Sequence, residues 1–126
     1  MVFSIGINDI QGTEFNAERF KSNYRELICM VRRVNPNCAI LFTGINDSSN
    51  RYGVNQHTEE VEKAFAELAG EFRCAFWDMY DVMGGYGSMS VWYAAGLAQG
   101  DEVHFTPDGY RLVGDLLFDA IMKTMQ

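Results

Sequence analysis

The sequence has little of what marks several classes of protein. It has no long uninterrupted apolar run and no signal-peptide pattern, so it predicts neither a membrane-spanning helix nor a membrane partner, and the compartment stays open. It also lacks a basic stretch, because 10 Lys and Arg stand against 17 Asp and Glu, for a net charge of −7. Binding to a phosphate backbone needs a positive face, so this balance argues against a nucleic-acid partner.

Cysteine is also scarce, with 3 residues in the whole chain. The number is odd and the spacing does not match a metal site, which favours neither a redox role nor a metal role. We expect Cys29, Cys38 and Cys74 to be small buried apolar side chains.

Short apolar runs alternate with helical patterns along the chain, and the length predicts one domain over residues 1–126. The expected strands are residues 2–5, 39–42 and 74–79. The expected helices run from the Asn16 cap to about residue 34, from the Thr58 cap to about residue 72, over residues 91–97 and over residues 107–125. This alternation predicts a parallel sheet of about three strands with helices on both faces. Ligands of such folds bind beyond the carboxyl ends of the strands.

A carboxylate stands three residues ahead of a histidine in the segment Asp101 to His104. Thr106 and Pro107 follow as an N-cap and a first helical residue. A histidine that a carboxylate orients is the general-base half of many nucleophilic hydrolases. The same residues are also typical of a turn that Asp101 begins and of a structural loop histidine, so both interpretations stay open.

A second informative segment, Gly-Ile-Asn-Asp at residues 6–9, follows the first expected strand. Its Asn8 is able to donate a side-chain amide hydrogen bond to an oxyanion, although Gly, Asn and Asp are common wherever strands end. The same four residues recur at 44–47, which we do not interpret as an internal repeat. We expect residues 44–53 to form a polar, solvated loop, whose Asn46, Asp47, Arg51 and Tyr52 are candidates for contact with a sugar.

Together these segments resemble the GDSL or SGNH hydrolases, a family of serine esterases. Residues 6–9 are similar to the block whose Asn contributes to the oxyanion hole. Residues 101–104 are similar to the block in which His is the general base and Asp orients it. The resemblance spans nearly the whole chain and implies a three-layer, flavodoxin-like α/β fold, here with a partial sheet. It implies a catalytic set of His104, Asp101 and Asn8, without a metal or an organic cofactor.

The chain also departs from the family. The Gly-Asp-Ser block that carries the nucleophile is absent from residues 1–126, as is the block whose Gly completes the oxyanion hole. We therefore expect the C-terminal portion of a serine esterase acting on O-acylated substrates such as acetylated carbohydrate, and we expect this portion alone to be inactive. The alternative is a catalytically inactive α/β remnant that binds a ligand or a partner. The resemblance suggests that the intact protein is secreted or periplasmic.

The missing part also affects assembly. In the family, a strand from that part lies beside the strand equivalent to residues 2–5. Its loss leaves backbone groups unpaired along an apolar edge without Lys or Pro, and such edges recruit other chains. We expect a homodimer or a larger assembly joined through residues 1–6 or the exposed sheet face; a monomer with a covered edge is the alternative.

Overall fold

The computed structural model describes residues 1–12 and 14–126, which form a small α/β fold. A parallel sheet has the order β1 (Val2–Phe3), β2 (Leu41–Phe42), β5 (Ala75–Phe76). An antiparallel hairpin consists of β3 (Ser49–Asn50) and β4 (Gly53–Val54). The helices are a 3₁₀ helix at Ile7–Ile10, α1 (Ala17–Val34), α2 (Thr58–Phe72), α3 (Met79–Met83), α4 (Ser88–Ala94) and α5 (Pro107–Thr124). The parallel sheet flanked by helices confirms the predicted fold class.

The three parallel strands are shorter than the predicted apolar runs. The last of them ends where the Trp77 N–H donates to the Phe42 carbonyl oxygen at 2.8 Å. Directly afterwards Asp78 caps α3, since its carboxylate accepts from the Asp81 N–H at 2.8 Å. A helix start therefore replaces the final residues of the predicted third strand.

The first core cluster joins the parallel sheet to α1 and α2. At its centre lies Phe65, which is fully buried, with its ring centroid 5.0 Å from that of Tyr24 and 5.2 Å from that of Phe42. Truncation of such a buried aromatic residue costs about 3–5 kcal/mol of stability. The buried members of this cluster are Ile10, Phe20, Tyr24, Ile28, Ile40, Phe42, Ile45, Val61, Ala64, Phe65, Leu68 and Ala69.

The second core cluster lies within residues 77–116 and connects α3, α4 and α5. Its buried members are Met79, Met83, Met89, Trp92, Ala98 and Phe105. The first half of α5 packs on it through Leu112, Val113 and Leu116. Within residues 1–12 and 14–126, no helix combines the length and hydropathy needed to cross a membrane.

Two of the three predicted helix caps are confirmed. Asn16 Oδ1 accepts the Arg19 N–H at 2.8 Å to begin α1, and Thr106 Oγ1 accepts the Gly109 N–H at 3.2 Å to begin α5. The predicted Thr58 cap is wrong, because Thr58 is the first residue of α2 and is buried.

Other local predictions were wrong in an informative way. Cys38 and Cys74 are half-buried, because they lie at the margin of the first core cluster instead of inside it. Cys29 is exposed and lies on the outer face of α1. The expected solvated loop is buried over residues 43–48 and continues into the β3–β4 hairpin. Some of its polar groups bond to other segments, as Asn46 Nδ2 does to the Val103 carbonyl oxygen and Asp47 Oδ2 to the Met89 N–H. Asp47 Oδ1 and Ser48 Oγ meet no hydrogen-bond partner among the described residues.

Candidate active site

The predicted Asp101–His104 pair lies on the loop before α5. Asp101 Oδ2 lies 2.7 Å from His104 Nδ1, and both side chains are exposed. Asp101 Oδ1 also accepts hydrogen bonds from the backbone N–H groups of Val103 and His104, each at 3.0 Å. One carboxylate therefore closes a turn and orients an imidazole at the same time. The two interpretations that the sequence leaves open describe parts of one arrangement.

These hydrogen bonds favour the ionised form of Asp101. The backbone N–H of His104, then its ring and the backbone N–H of Val103, lower the pKa of Asp101 from 3.8 to about 2. An ionised carboxylate only accepts hydrogen bonds, so a neutral His104 ring carries its proton on Nδ1. The Nε2 lone pair is then available to accept a proton, as general-base catalysis requires.

The position of His104 depends on the second core cluster. The Gln99 N–H donates to the His104 carbonyl oxygen at 2.8 Å, and Ala98 pairs with Phe105 in an antiparallel bridge. Phe105 is buried, with its ring centroid 5.3 Å from that of Trp92. Because a buried aromatic side chain directly follows His104, the imidazole is held on a fixed stretch of backbone.

Asn8 lies on the 3₁₀ helix that directly follows β1. Asn8 is exposed, whereas Ile10 on the same helix is fully buried. The preceding Gly6 has a φ of 130°, and a Cβ there would lie 3.0 Å from Ile45 Cγ2. Only glycine fits both this conformation and this contact. The turn therefore presents Asn8 to solvent at the carboxyl end of β1.

The second Gly-Ile-Asn-Asp segment, residues 44–47, connects the two predicted site segments. Its Ile45 packs on Gly6, and Asn46 Nδ2 donates to the Val103 carbonyl oxygen at 3.0 Å. Asn46 is only 8% exposed, so this amide acts as an internal tie. The sequence alone did not predict this structural role of Asn46. The recurrence of Gly-Ile-Asn-Asp at the end of a second strand was the signal that pointed to it.

The β3–β4 hairpin ties the same two regions through different atoms. The Ser49 N–H donates to the carbonyl oxygen of Glu102 at 3.0 Å. Asn55 Nδ2 donates to the carbonyl oxygen of Ile10 at 2.6 Å. Since residues 43–48 continue directly from β2, the His104 loop and the Asn8 turn both lie at the carboxyl edge of the sheet. The structure thus brings the predicted residues to one edge, while their catalytic roles stay predictions.

A buried carboxyl group on α2 bonds to the backbone of the loop after β2. Glu62 is 5% exposed, and its Oε1 accepts the Ile45 N–H at 2.7 Å. Gly44 has a φ of 64°, and a Cβ there would collide with the Glu62 carboxyl group. Burial, assisted by the neighbouring Asp78 carboxylate, raises the pKa of Glu62 to about 8. Glu62 is therefore mainly protonated at neutral pH. The sequence alone did not identify this residue.

The described residues do not complete a hydrolytic triad. In the part of the chain that the structure covers, no serine hydroxyl bonds to His104, and Ser48 and Ser88 are buried. The same part holds no group of three His, Cys, Asp or Glu side chains arranged for a metal ion. The described residues thus present an oriented imidazole and an exposed Asn8 side chain, without a serine hydroxyl bonded to that imidazole.

Comparison with known proteins gives one family and one fold. A model of the GDSL-like lipase/acylhydrolase family matches residues 1–112. No curated protein matches the chain. Among solved structures, the chain is similar to a peptidoglycan O-acetylesterase, with a TM-score of 0.89 and 24% identity. It is also similar to a lipase/acylhydrolase from Enterococcus faecalis (TM-score 0.68, 22% identity) and to a putative acylhydrolase from Bacteroides fragilis (TM-score 0.71, 19% identity).

These similarities cover nearly the whole chain but only part of each solved structure. They include 98%, 95% and 99% of this chain and 37%, 59% and 62% of the three structures, in the order given. The chain thus spans less than two thirds of their length. At these identities the similarity shows the fold, and it confirms the predicted flavodoxin-like architecture.

Proposed function

Because the chain belongs to the GDSL-like lipase/acylhydrolase family, we propose that it is the C-terminal portion of a serine ester hydrolase with His104 as general base. The observation that carries this proposal is the 2.7 Å contact of His104 Nδ1 with Asp101 Oδ2, on a carboxylate whose pKa is lowered to about 2. Asn8, exposed at the same sheet edge, is the proposed oxyanion donor. The serine nucleophile comes from a segment outside residues 1–126.

In the proposed reaction, His104 Nε2 takes the serine proton as the serine oxygen attacks the ester carbonyl carbon. Asp101 stabilises the resulting imidazolium, and the Asn8 amide donates to the oxyanion of the tetrahedral intermediate. The imidazolium then protonates the departing alcohol oxygen. Water repeats these steps on the acyl-serine and releases the acid. An oxyanion donor of this kind contributes about 3–4 kcal/mol to the barrier reduction.

The proposed substrate is an acetylated carbohydrate or a similar small ester. One of the structures that this chain resembles is a peptidoglycan O-acetylesterase, whose name describes an acetyl ester. The His104 side chain is 60% exposed and that of Asp101 is 47% exposed. An open site of this kind suits a small acyl group on a large hydrated alcohol, because a long acyl chain needs apolar surface to bury.

A second candidate function is that of an inactive α/β module that binds a ligand or a partner. It is favoured by the absence of a Gly-Asp-Ser segment from residues 1–126. This candidate and the first agree that the 126-residue chain alone is inactive. They differ in whether His104 serves any reaction.

We also propose that the isolated chain forms a homodimer through β1. Within the described residues, β1 pairs with β2 on one side only. Val2 is 54% exposed and Ile5 is 53% exposed, so the open edge is apolar as well as unpaired. Such an edge is a template for a second strand.

The function is tested by comparing two polypeptides. One is the 126-residue chain, and the other is a longer polypeptide that also includes the sequence encoded in frame upstream of Met1. We expect the 126-residue chain to hydrolyse p-nitrophenyl acetate no faster than free imidazole and to resist fluorophosphonate labelling. The longer polypeptide should be labelled on one serine. In it, His104→Ala should reduce kcat/KM by about 10³-fold or more, and Asn8→Ala by about 10²–10³-fold.

Two results would contradict the proposal. Stoichiometric labelling of a serine within residues 1–126 would show that the nucleophile is in this chain. Full activity of the longer His104→Ala polypeptide would remove His104 from the mechanism. If no reading frame continues upstream, the inactive binding module becomes the better description.

A further inference from the structure

An open depression of about 490 Å³ lies next to the segment that follows the 3₁₀ helix of Asn8. One wall consists of Gln11 and Gly12, which directly follow the 3₁₀ helix. The other wall is the tip of the β3–β4 hairpin and consists of Asn50, Arg51 and Tyr52. This volume is within the range of about 300–1,000 Å³ that small-molecule sites occupy. We call this feature the tip depression.

The tip depression is lined by two segments that adjoin the proposed catalytic residues. One wall begins three residues after Asn8 on the same turn of chain. The other wall is the hairpin, whose Ser49 N–H donates to Glu102 and whose following Asn55 side chain donates to Ile10. Short stretches of chain therefore connect this depression both to the Asn8 turn and to the His104 loop.

The lining of the tip depression combines a cation, an aromatic ring and free amide groups. The Arg51 guanidinium lies over the Tyr52 ring, 4.7 Å from its centroid, and forms no ion pair with any described residue. Asn50 Oδ1 accepts the Tyr52 N–H at 2.8 Å, which leaves the amide hydrogens of Asn50 for a ligand. Gln11 Nε2 donates to Ile7 at 3.1 Å, which leaves its amide oxygen as an acceptor.

We propose that the tip depression is a subsite for a carboxylate-bearing sugar residue of the acylated saccharide, with Arg51 binding the carboxylate. This inference rests on the proposed function. A guanidinium pairs with a carboxylate through two parallel N–H groups, and contact with an aromatic face favours one orientation of its plane. Tyr52 is 65% exposed, so its ring retains area for the C–H face of a sugar. Asn50 and Gln11 supply a donor and an acceptor for hydroxyl groups.

The subsite is tested by titrating the ¹⁵N-labelled 126-residue chain with trigalacturonate and, separately, with the neutral β-1,4-galactotriose. We expect trigalacturonate to shift the amides of residues 11–12 and 50–52. Arg51→Gln should weaken this binding about tenfold, and Arg51→Lys should weaken it less, because an ammonium keeps the charge without the planar fork. Galactotriose should bind more weakly than trigalacturonate and equally to all variants. Raising the salt concentration should weaken the binding of trigalacturonate to the wild type more than to Arg51→Gln.

A matched control is Arg33→Gln, which removes an exposed arginine in the last turn of α1. It changes the net charge equally and should leave the titration unchanged. A second test substitutes Gly12 on the opposite wall of the depression. A Cβ at this position meets no atom closer than 4.0 Å, so the backbone tolerates a side chain there. Gly12→Asp should abolish trigalacturonate binding, and Gly12→Asn should retain it. Equal binding by the wild type and Arg51→Gln, or shifts located away from the tip, would overturn the subsite.

These results separate the subsite from the proposed function. His104→Ala should bind trigalacturonate as well as the wild type, because the dyad does not line the depression. If trigalacturonate fails to bind while the longer polypeptide hydrolyses acetyl esters through His104, only the subsite is wrong. If trigalacturonate binds at the tip and no ester hydrolysis depends on His104, the chain is a saccharide-binding module.

Discussion

Replacement of Glu62 by Gln should make the chain resistant to alkaline pH. Glu62 lies behind the second Gly-Ile-Asn-Asp segment, 5% exposed, with Oε1 accepting the Ile45 N–H. Its Oε2 meets no donor among the described residues, and the group next to it is the Asp78 carboxylate, which only accepts. The contact between the two carboxyl groups is therefore favourable only when Glu62 carries a proton. A glutamine amide reproduces that protonated state without titrating.

The size of the effect follows from the pKa of Glu62, which rises from 4.5 to about 8 on folding. The folded chain then holds a proton that the unfolded chain has lost, so stability is complete below pH 4.5 and falls until the pH passes 8. At about 1.4 kcal/mol per pH unit, the wild type should lose roughly 4 kcal/mol between pH 5 and pH 9 through this group. Typical domains have only about 5–15 kcal/mol in total.

The assay is urea denaturation at pH 5, 7 and 9, followed by circular dichroism. Glu62→Gln should match the wild type within about 1 kcal/mol at pH 5 and exceed it by roughly 3–4 kcal/mol at pH 9. The control is Glu67→Gln on the same helix, where the exposed carboxylate pairs with Lys21 at 2.6 Å and its pKa is lowered. That variant should follow the pH dependence of the wild type. Parallel curves for the wild type and Glu62→Gln would refute the reasoning.

Three further predictions concern the His104 loop and the sheet edge. Gly109→Ala should destabilise the chain by about 2 kcal/mol in urea denaturation, because a Cβ at Gly109 would collide with the Leu97 carbonyl oxygen. The control on the same helix is Gly114→Ala, where a Cβ meets open space; it should stabilise the chain by up to about 1 kcal/mol. Asp101→Asn should replace the single Nδ1–H tautomer of neutral His104 by a mixture, visible in ring ¹⁵N shifts at pH 9; an unchanged tautomer would contradict the proposed role of the carboxylate. Val2→Lys should convert the proposed dimer to a monomer by light scattering, and a monomeric wild type would sink the β1 edge proposal.

What could be predicted from the sequence depends on how far apart the interacting residues lie. Asp101 and His104 are 3 positions apart, so their contact follows from the spacing and from the helix start after them. Asn46 and Val103 are 57 positions apart, and Asn55 and Ile10 are 45 apart. No periodicity or local propensity encodes such pairs. The sequence alone therefore predicted the Asp101–His104 contact but not the long-range hydrogen bonds that hold the surrounding loops.

The same limit explains the buried loop after β2. Gly, Asn, Asp and Ser in succession favour a solvated turn on average. Asp47 is instead fully buried, with its Oδ2 accepting the Met89 N–H at 2.9 Å, 42 positions away. Burial raises the pKa of Asp47, so hiding this carboxylate disfavours its charged form and does not by itself stabilise the loop. Its placement is decided by the loops that meet it, and a single sequence does not indicate which loops meet.

The two proposed catalytic segments depend on different parts of the core. Asn8 is fixed by Ile10 in the first core cluster, and His104 by Phe105 in the second. The distance between the amide and the imidazole is therefore set by the contacts that connect the two regions, which include the hydrogen bond from Asn46 to Val103. A buried hydrogen bond of this kind contributes only about 1 kcal/mol to stability. A displacement of about 1 Å between catalytic groups, by contrast, is able to cost about 10²-fold in rate. Loss of this bond should consequently affect the geometry of the site far more than the folding of the chain.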